Sequence, residues 1–124
     1  MNVRTSRMIR QTDPADHLPL HRKDFQILLS LVSGPSYGTR IVMEIEKQHE
    51  GSSKFYPANL FRRIRDLLTR GLVQECDAPP GADPRRTYVT LTGLGQTVVR
   101  LEAQRMEELV REARALKLLE EGSR

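Results

Sequence analysis

The segment PANLFRRIRDLLTRGLV, opening at Pro57, carries Arg62, Arg63, Arg65 and Arg70 against a single acid, Asp66. Guanidinium groups suit one chemistry above others: fork-like, charge-assisted hydrogen bonds to phosphate oxygens and guanine edges. Crowding like charges at helical spacing costs a few tenths of a kcal/mol, ~0.2–0.5 per pair. Phosphates offset this, because each one neutralised releases condensed counterions. A second basic pair, Arg85 and Arg86, follows the turn-rich run DAPPGADP, and Lys54 and Tyr56 lie just ahead of the basic segment.

No other constellation competes. His17, His21 and His49 are scattered, and none has a His, Cys or acid at metal-ligand spacing. TGLG, from Thr92, is too short for a phosphate loop and follows a strand-like run. Cys76 is the only cysteine. It cannot form an intrachain disulfide, and it reads as a small core residue rather than a nucleophile. We therefore expect no enzyme, no metal, no cofactor and a cytoplasmic setting. No apolar run approaches a membrane span, and MNVRTSRMIRQTDPADH lacks the apolar stretch of a signal peptide. A net charge of +4 permits a nucleic-acid or acidic partner without requiring one. The preference for Arg over Lys fits phosphate contacts, although genome base composition produces the same bias. With 38% hydrophobic and 5% aromatic residues, the core must be small and built of Leu, Ile and Val.

Residues 1–19 read as an arm, with Arg4, Arg7 and Arg10 in a polar stretch and Pro14 and Pro19 opposing a continuous helix. In HRKDFQILLSLVSGP, Phe25, Leu28, Leu29 and Val32 form one apolar face of a first helix, which Gly34-Pro35 stops. A second helix follows, with Ser36 as N-cap and Ile41, Val42 and Ile45 facing inward. The third helix is the basic segment. Pro57 suits its first position, Leu60, Ile64, Leu67 and Leu68 face the core, and Gly71 sits where a terminating glycine belongs. LVQEC and RTYVTL then alternate as a hairpin, with Leu72, Gln74 and Cys76 on one side. From Thr92, an N-cap, one long helix runs to the end. Its Val99, Ala103, Met106, Val110 and Ala113 form a heptad-like seam, widened by Val98, Leu101, Leu109 and Leu116. A second copy of the chain is the natural cover for such a stripe.

Three helices followed by a hairpin is the order of a winged helix-turn-helix, so the fold class is mainly α with a small β-hairpin. The expected organisation is an arm over 1–19, a DNA-binding domain over 20–91 and a dimerisation helix over 92–124. With its Leu/Ile face docked, the third helix turns Asn59, Arg62, Asp66 and Thr69 outward and leaves Arg63, Arg65 and Arg70 on its flanks. Asn59 suits an adenine edge and Arg62 a guanine. Without DNA, Arg62 has Asp66 as an i, i+4 partner. Tyr56 and Phe61 can reach a thymine methyl or a sugar, and for Phe61 core packing is equally open. Lys54, Arg85 and Arg86 are placed for phosphate. Tyr88 packs at the base of the wing.

LLSLVSGPSYG with Ile41, Glu44 and Ile45, then PANLFRRIRDLLTRGLV, then RRTYVTLTGLG together resemble the PadR-like transcriptional regulators of the compact type. The likeness spans about residues 20–119. It implies a homodimer on a pseudo-palindromic double-stranded operator, acting as a repressor, and in some members a planar effector held between subunits. It adds Ala58 to the DNA-facing set, because Ala58 and Asn59 stand where the family has a small Gly-Thr pair. Phe61 replaces a tyrosine, Thr39 an aromatic residue, and the helix opening at Leu94 lacks the usual proline or acid. The long helix has no aromatic residue, which argues against a stacking pore and leaves any small-molecule effector unidentified. The competing reading is a protein-interaction module on a winged-helix scaffold that has lost DNA binding. The concentration of arginine on the third helix and wing weighs against it.

Overall fold

The computed structural model describes residues 13–48 and 57–120. Its elements are a 3-10 helix at Pro14–His17, α1 Arg22–Ser30, α2 Gly38–Gln48, α3 Pro57–Thr69, β1 Val73–Cys76, β2 Tyr88–Leu91 and α4 Gly93–Ala115. The arrangement is a winged helix with a long C-terminal helix.

One cluster of aliphatic side chains holds it together. Ile27, Leu28 and Leu31 from the α1 region meet Ile41 and Ile45 of α2, and Leu60, Ile64 and Leu67 of α3. Leu72, Val73, Val89, Leu91, Val98 and Val99 close the cluster from the hairpin and α4. The expected inner faces of α2 and α3 are the observed ones.

The first helix is different. Leu28 is fully buried, but Leu29 is 47% and Val32 58% exposed. The buried stripe runs through Asp24, Ile27, Leu28 and Leu31 instead. Two apolar stripes overlap in this segment, and helical spacing does not rank them. Packing chooses the one that places Asp24 against α3. Leu29 and Val32 then line a groove of about 470 Å³ with Leu91, Val99 and Ala103.

Ser36 does not cap α2. Its backbone exchanges hydrogen bonds with Val89, at 3.0 and 2.9 Å, and adds a one-residue bridge to the hairpin. Its hydroxyl is buried without a hydrogen-bond partner among the described residues. The hairpin register pairs Val73 with Leu91 and Cys76 with Tyr88. The expected alternation through Leu72, Gln74 and Cys76 fails, because Leu72 and Val73 are both buried while Gln74 is exposed. Leu72 belongs to the turn after α3, where its N–H donates to the Leu67 carbonyl and its carbonyl accepts from Thr92 N–H. Gly71 ends α3 with φ +76°, the left-handed value a terminating glycine supplies. Cys76 is half-buried, and burial, with the charge of Asp77 beside it, pushes its thiol pKa up.

The arm boundary also moves. The 3-10 helix packs on α4 and Leu20 is buried, so the body begins before residue 20. The Leu20 N–H donates to Glu102 Oε2 at 3.1 Å. Glu102, on the long helix, is fully buried and paired with Arg105 at 2.6 Å. Residues 1–12, with Arg4, Arg7 and Arg10, lie outside the described residues.

Candidate nucleic-acid interface

The arginines of α3 and of the turn that ends it divide into two groups. Arg63 turns inward: its Nη1 donates to Asp24 Oδ1 at 3.0 Å and its side chain is 20% exposed. Arg70 Nη1 lies 3.6 Å from Asp24 Oδ2 and 3.3 Å from Asp66 Oδ2. Asp24, itself nearly buried, thus clamps α3 to α1 through two cations. The structure therefore moves Arg63 from the DNA-facing set to an internal brace. It also gives Asp66 to Arg70, so the expected Arg62–Asp66 pair does not form.

What remains outward is a compact face. Ala58, Arg62 and Arg65 are exposed, Phe61 is 50% exposed and Asn59 is half-buried. Arg62 Nη2 donates to Asn59 Oδ1 at 3.4 Å, which links the two candidate base readers. The Phe61 ring lies over the start of α2, which meets the packing reading, while half its surface stays open. A Cβ on Gly38 would meet Phe61 Cε1 at 2.7 Å, so a glycine there admits the ring. Lys54 and Tyr56 fall outside the described residues.

On the wing, Asp83 organises both arginines. Its carboxylate accepts from the Arg85 N–H at 2.9 Å and from Arg85 Nε at 3.1 Å, and Arg86 Nε lies 4.0 Å away. Hydrogen bonds from the Arg85 guanidinium and N–H, with the charge of Arg86, hold the Asp83 carboxyl below its ordinary range. Arg85 projects with 88% of its side chain exposed. Arg86 stacks 4.3 Å from the centroid of the Tyr37 ring. Tyr88 is buried at the base of the wing, as expected, and meets Tyr37 edge-on at 5.5 Å.

Sequence reasoning missed Asp24, Tyr37 and Asp83. Only Asp83 left a signal, an Asp-Pro turn two residues before Arg85. Among the described residues no group of His, Cys, Asp or Glu is placed to hold a metal ion. No helix among them is long and apolar enough to cross a membrane.

Solved structures share this architecture. A transcriptional regulator from Clostridium thermocellum superimposes at TM-score 0.63 with 18% identity, over 93% of this chain and 96% of that one. Bacillus subtilis PadR in complex with operator DNA matches at TM-score 0.56 and 17% identity, over 66% of this chain and 46% of that one. A PadR family transcription regulator from Clostridium difficile matches at 0.59 and 20%, over 75% and 95%. At these identities the likeness speaks for the fold. No curated protein matches the chain. The family itself is identified from sequence: residues 27–101, more than half the chain, match the transcriptional regulator PadR-like family, and the chain belongs to it.

Proposed function

We propose that the protein binds double-stranded DNA as a homodimer and represses transcription from a pseudo-palindromic operator, with release by a small-molecule effector. The observation that carries the DNA reading is the exposure of cationic side chains on both α3 and the wing. Asn59, Phe61, Arg62 and Arg65 open outward from α3, while Arg85 and Arg86 extend from the wing. Helix N-terminal residues of this kind read base edges and wing cations hold phosphates. The Bacillus subtilis relative was solved on operator DNA, which supports the same use of the fold here.

Fluorescence anisotropy with the DNA preceding its own gene, beside a scrambled duplex, tests this across a salt series. Specific binding, at least about a hundredfold over the scramble and falling steeply with salt, is the expected result. Weak binding to both, flat in salt, would favour the interaction module instead. Within that assay, Arg62→Ala should cost about 1–3 kcal/mol on the preferred DNA and relax sequence choice. Equal losses on both duplexes would remove Arg62 from the base readers.

The dimer reading rests on α4. Beyond Glu102 no residue of the helix is fully buried among the described residues. Val99 belongs to the core, yet with Ala103 it also lines the groove shared with Leu29 and Val32. Met106 and Ala113 are half-buried, and Val110 and Leu109 are exposed at 37% and 50%. These residues continue the apolar line along the helix and suit an isologous contact. Met106→Glu should weaken self-association at least about tenfold, since a seam would bury its charge. Light scattering that still finds a dimer would place the interface elsewhere.

A further inference from the structure

The Tyr37 ring is a platform against which the wing guanidinium is set. Tyr37 lies at the start of α2, where its carbonyl accepts from Ile41 N–H at 3.0 Å. The preceding residue, Ser36, is locked to Val89 of the wing strand by its two backbone hydrogen bonds. Tyr88, 3% exposed, supports the ring from the side in an edge-on contact at 79°. The ring is thus fixed to both α2 and the wing. Arg86 lies over its open face, with 46% of its side chain still reaching solvent. Arg85, by contrast, is held by Asp83 alone among the described residues and projects freely.

A long arginine side chain on a hairpin loses rotamer freedom when it grips a phosphate. Stacking on an aromatic face removes part of that freedom beforehand and leaves the N–H edge free to donate. We propose that Tyr37 is a positioning residue for DNA binding: its ring pre-sets Arg86, so that the wing reaches the DNA backbone at a fixed distance from α3. This rests on the DNA reading above, and it assigns to Tyr37 no contact with DNA of its own.

The test has a part that needs no DNA. In proton NMR of the free protein, the Arg86 side-chain protons should be shifted upfield by the Tyr37 ring and return towards ordinary values in Tyr37→Leu. Unshifted protons in the wild-type protein would overturn the proposal whatever the protein binds. In the anisotropy assay, Tyr37→Leu should weaken binding about three- to tenfold on preferred and scrambled duplexes alike, and lower the salt slope by about one. Arg86→Ala should do the same, and the double variant should lose no more than Arg86→Ala alone. Tyr37→Phe keeps the ring and should bind as the wild type does. Loss in Tyr37→Phe would give the role to the hydroxyl, and full additivity in the double variant would make Tyr37 independent of Arg86. Either result overturns the proposal. A Tyr37→Leu protein that merely packs badly at Tyr88 would show a lowered melting temperature and an additional loss in the Arg86→Ala background, again against it. A shifted Arg86 in a wild-type protein that binds no DNA would instead bring down the DNA reading, and the proposal with it.

Discussion

Gly95→Ala is expected to lower the stability of the chain by about 3 kcal/mol or more, the largest effect of any single methyl group added to the described glycines. α4 begins against the turn that follows α3. Thr92 Oγ1 donates to the Gly71 carbonyl at 2.6 Å and accepts from Gly95 N–H at 2.9 Å. The Thr92 N–H donates to the Leu72 carbonyl at 3.1 Å. These bonds bring the first turn of α4 onto the backbone of Leu72, and a Cβ on Gly95 would overlap the Leu72 carbonyl oxygen. That oxygen is main chain between two buried residues and cannot swing aside. To admit the methyl, α4 must tilt, and its cap and the Val98–Val99 contacts with the core go with it. Gly93→Ala is the control, since a Cβ there meets nothing within 4 Å. It should be neutral or stabilising by up to about 1 kcal/mol, because alanine favours a helix. Urea unfolding followed by circular dichroism measures both. A Gly95→Ala protein within about 1 kcal/mol of the wild type would show that the first turn of α4 does not rest on the Leu72 carbonyl.

Glu102→Ala should cost about 2–3 kcal/mol and loosen the N-terminal segment. The carboxylate is fully buried and serves two donors, Leu20 N–H at 3.1 Å and the Arg105 guanidinium at 2.6 and 3.0 Å. Arg105 is 39% exposed and can turn to water once freed, so its share of the loss is small. The Leu20 N–H has no such escape, and an unmet buried donor costs about 1–3 kcal/mol, to which the vacated volume adds. Amide exchange in the 3-10 helix and around Leu20 should quicken more than in α3. The pH dependence has a definite sign. The Arg105 hydrogen bonds lower the Glu102 pKa from its ordinary 4.5, outweighing the opposing effect of burial. A depressed carboxyl pKa adds stability above the ordinary value, and that contribution fades as pH falls through the folded-state value. The stability gap between wild type and Glu102→Gln should therefore be full at pH 7 and shrink below about 4.5. A gap that stays constant down to acid pH would mean that the charge of Glu102 does not matter to the fold.

Periodicity and punctuation make much of this protein legible from its sequence. Leu60, Ile64 and Leu67 repeat at helical spacing in α3, Pro57 and Gly71 mark its ends, and Thr92 starts α4 as its cap. Such features are local: a helix stripe, a cap and a terminating glycine depend on neighbours within a turn or two. The order of three helices, hairpin and long helix followed from them, and so did the outward placement of Arg62 and the buried place of Tyr88. Tertiary packing decided the rest. Whether an arginine of α3 faces solvent or Asp24 depends on α1, far away in sequence: spacing puts Arg63 on a flank of the helix, and only the fold brings Asp24 to it. Leu29 and Leu31 are equally apolar, and only the partner across the core selects which is buried. Glu102 is buried because Leu20 and Arg105 meet it there, although a glutamate on a charged helix reads as solvated. Tyr37 and Arg86 come together through a single backbone bridge at Ser36 and Val89. Spacing along a chain reports which residues share a face. It carries no information on what lies opposite that face, and the opposing surface sets the energy of a buried charge or a stacked ring.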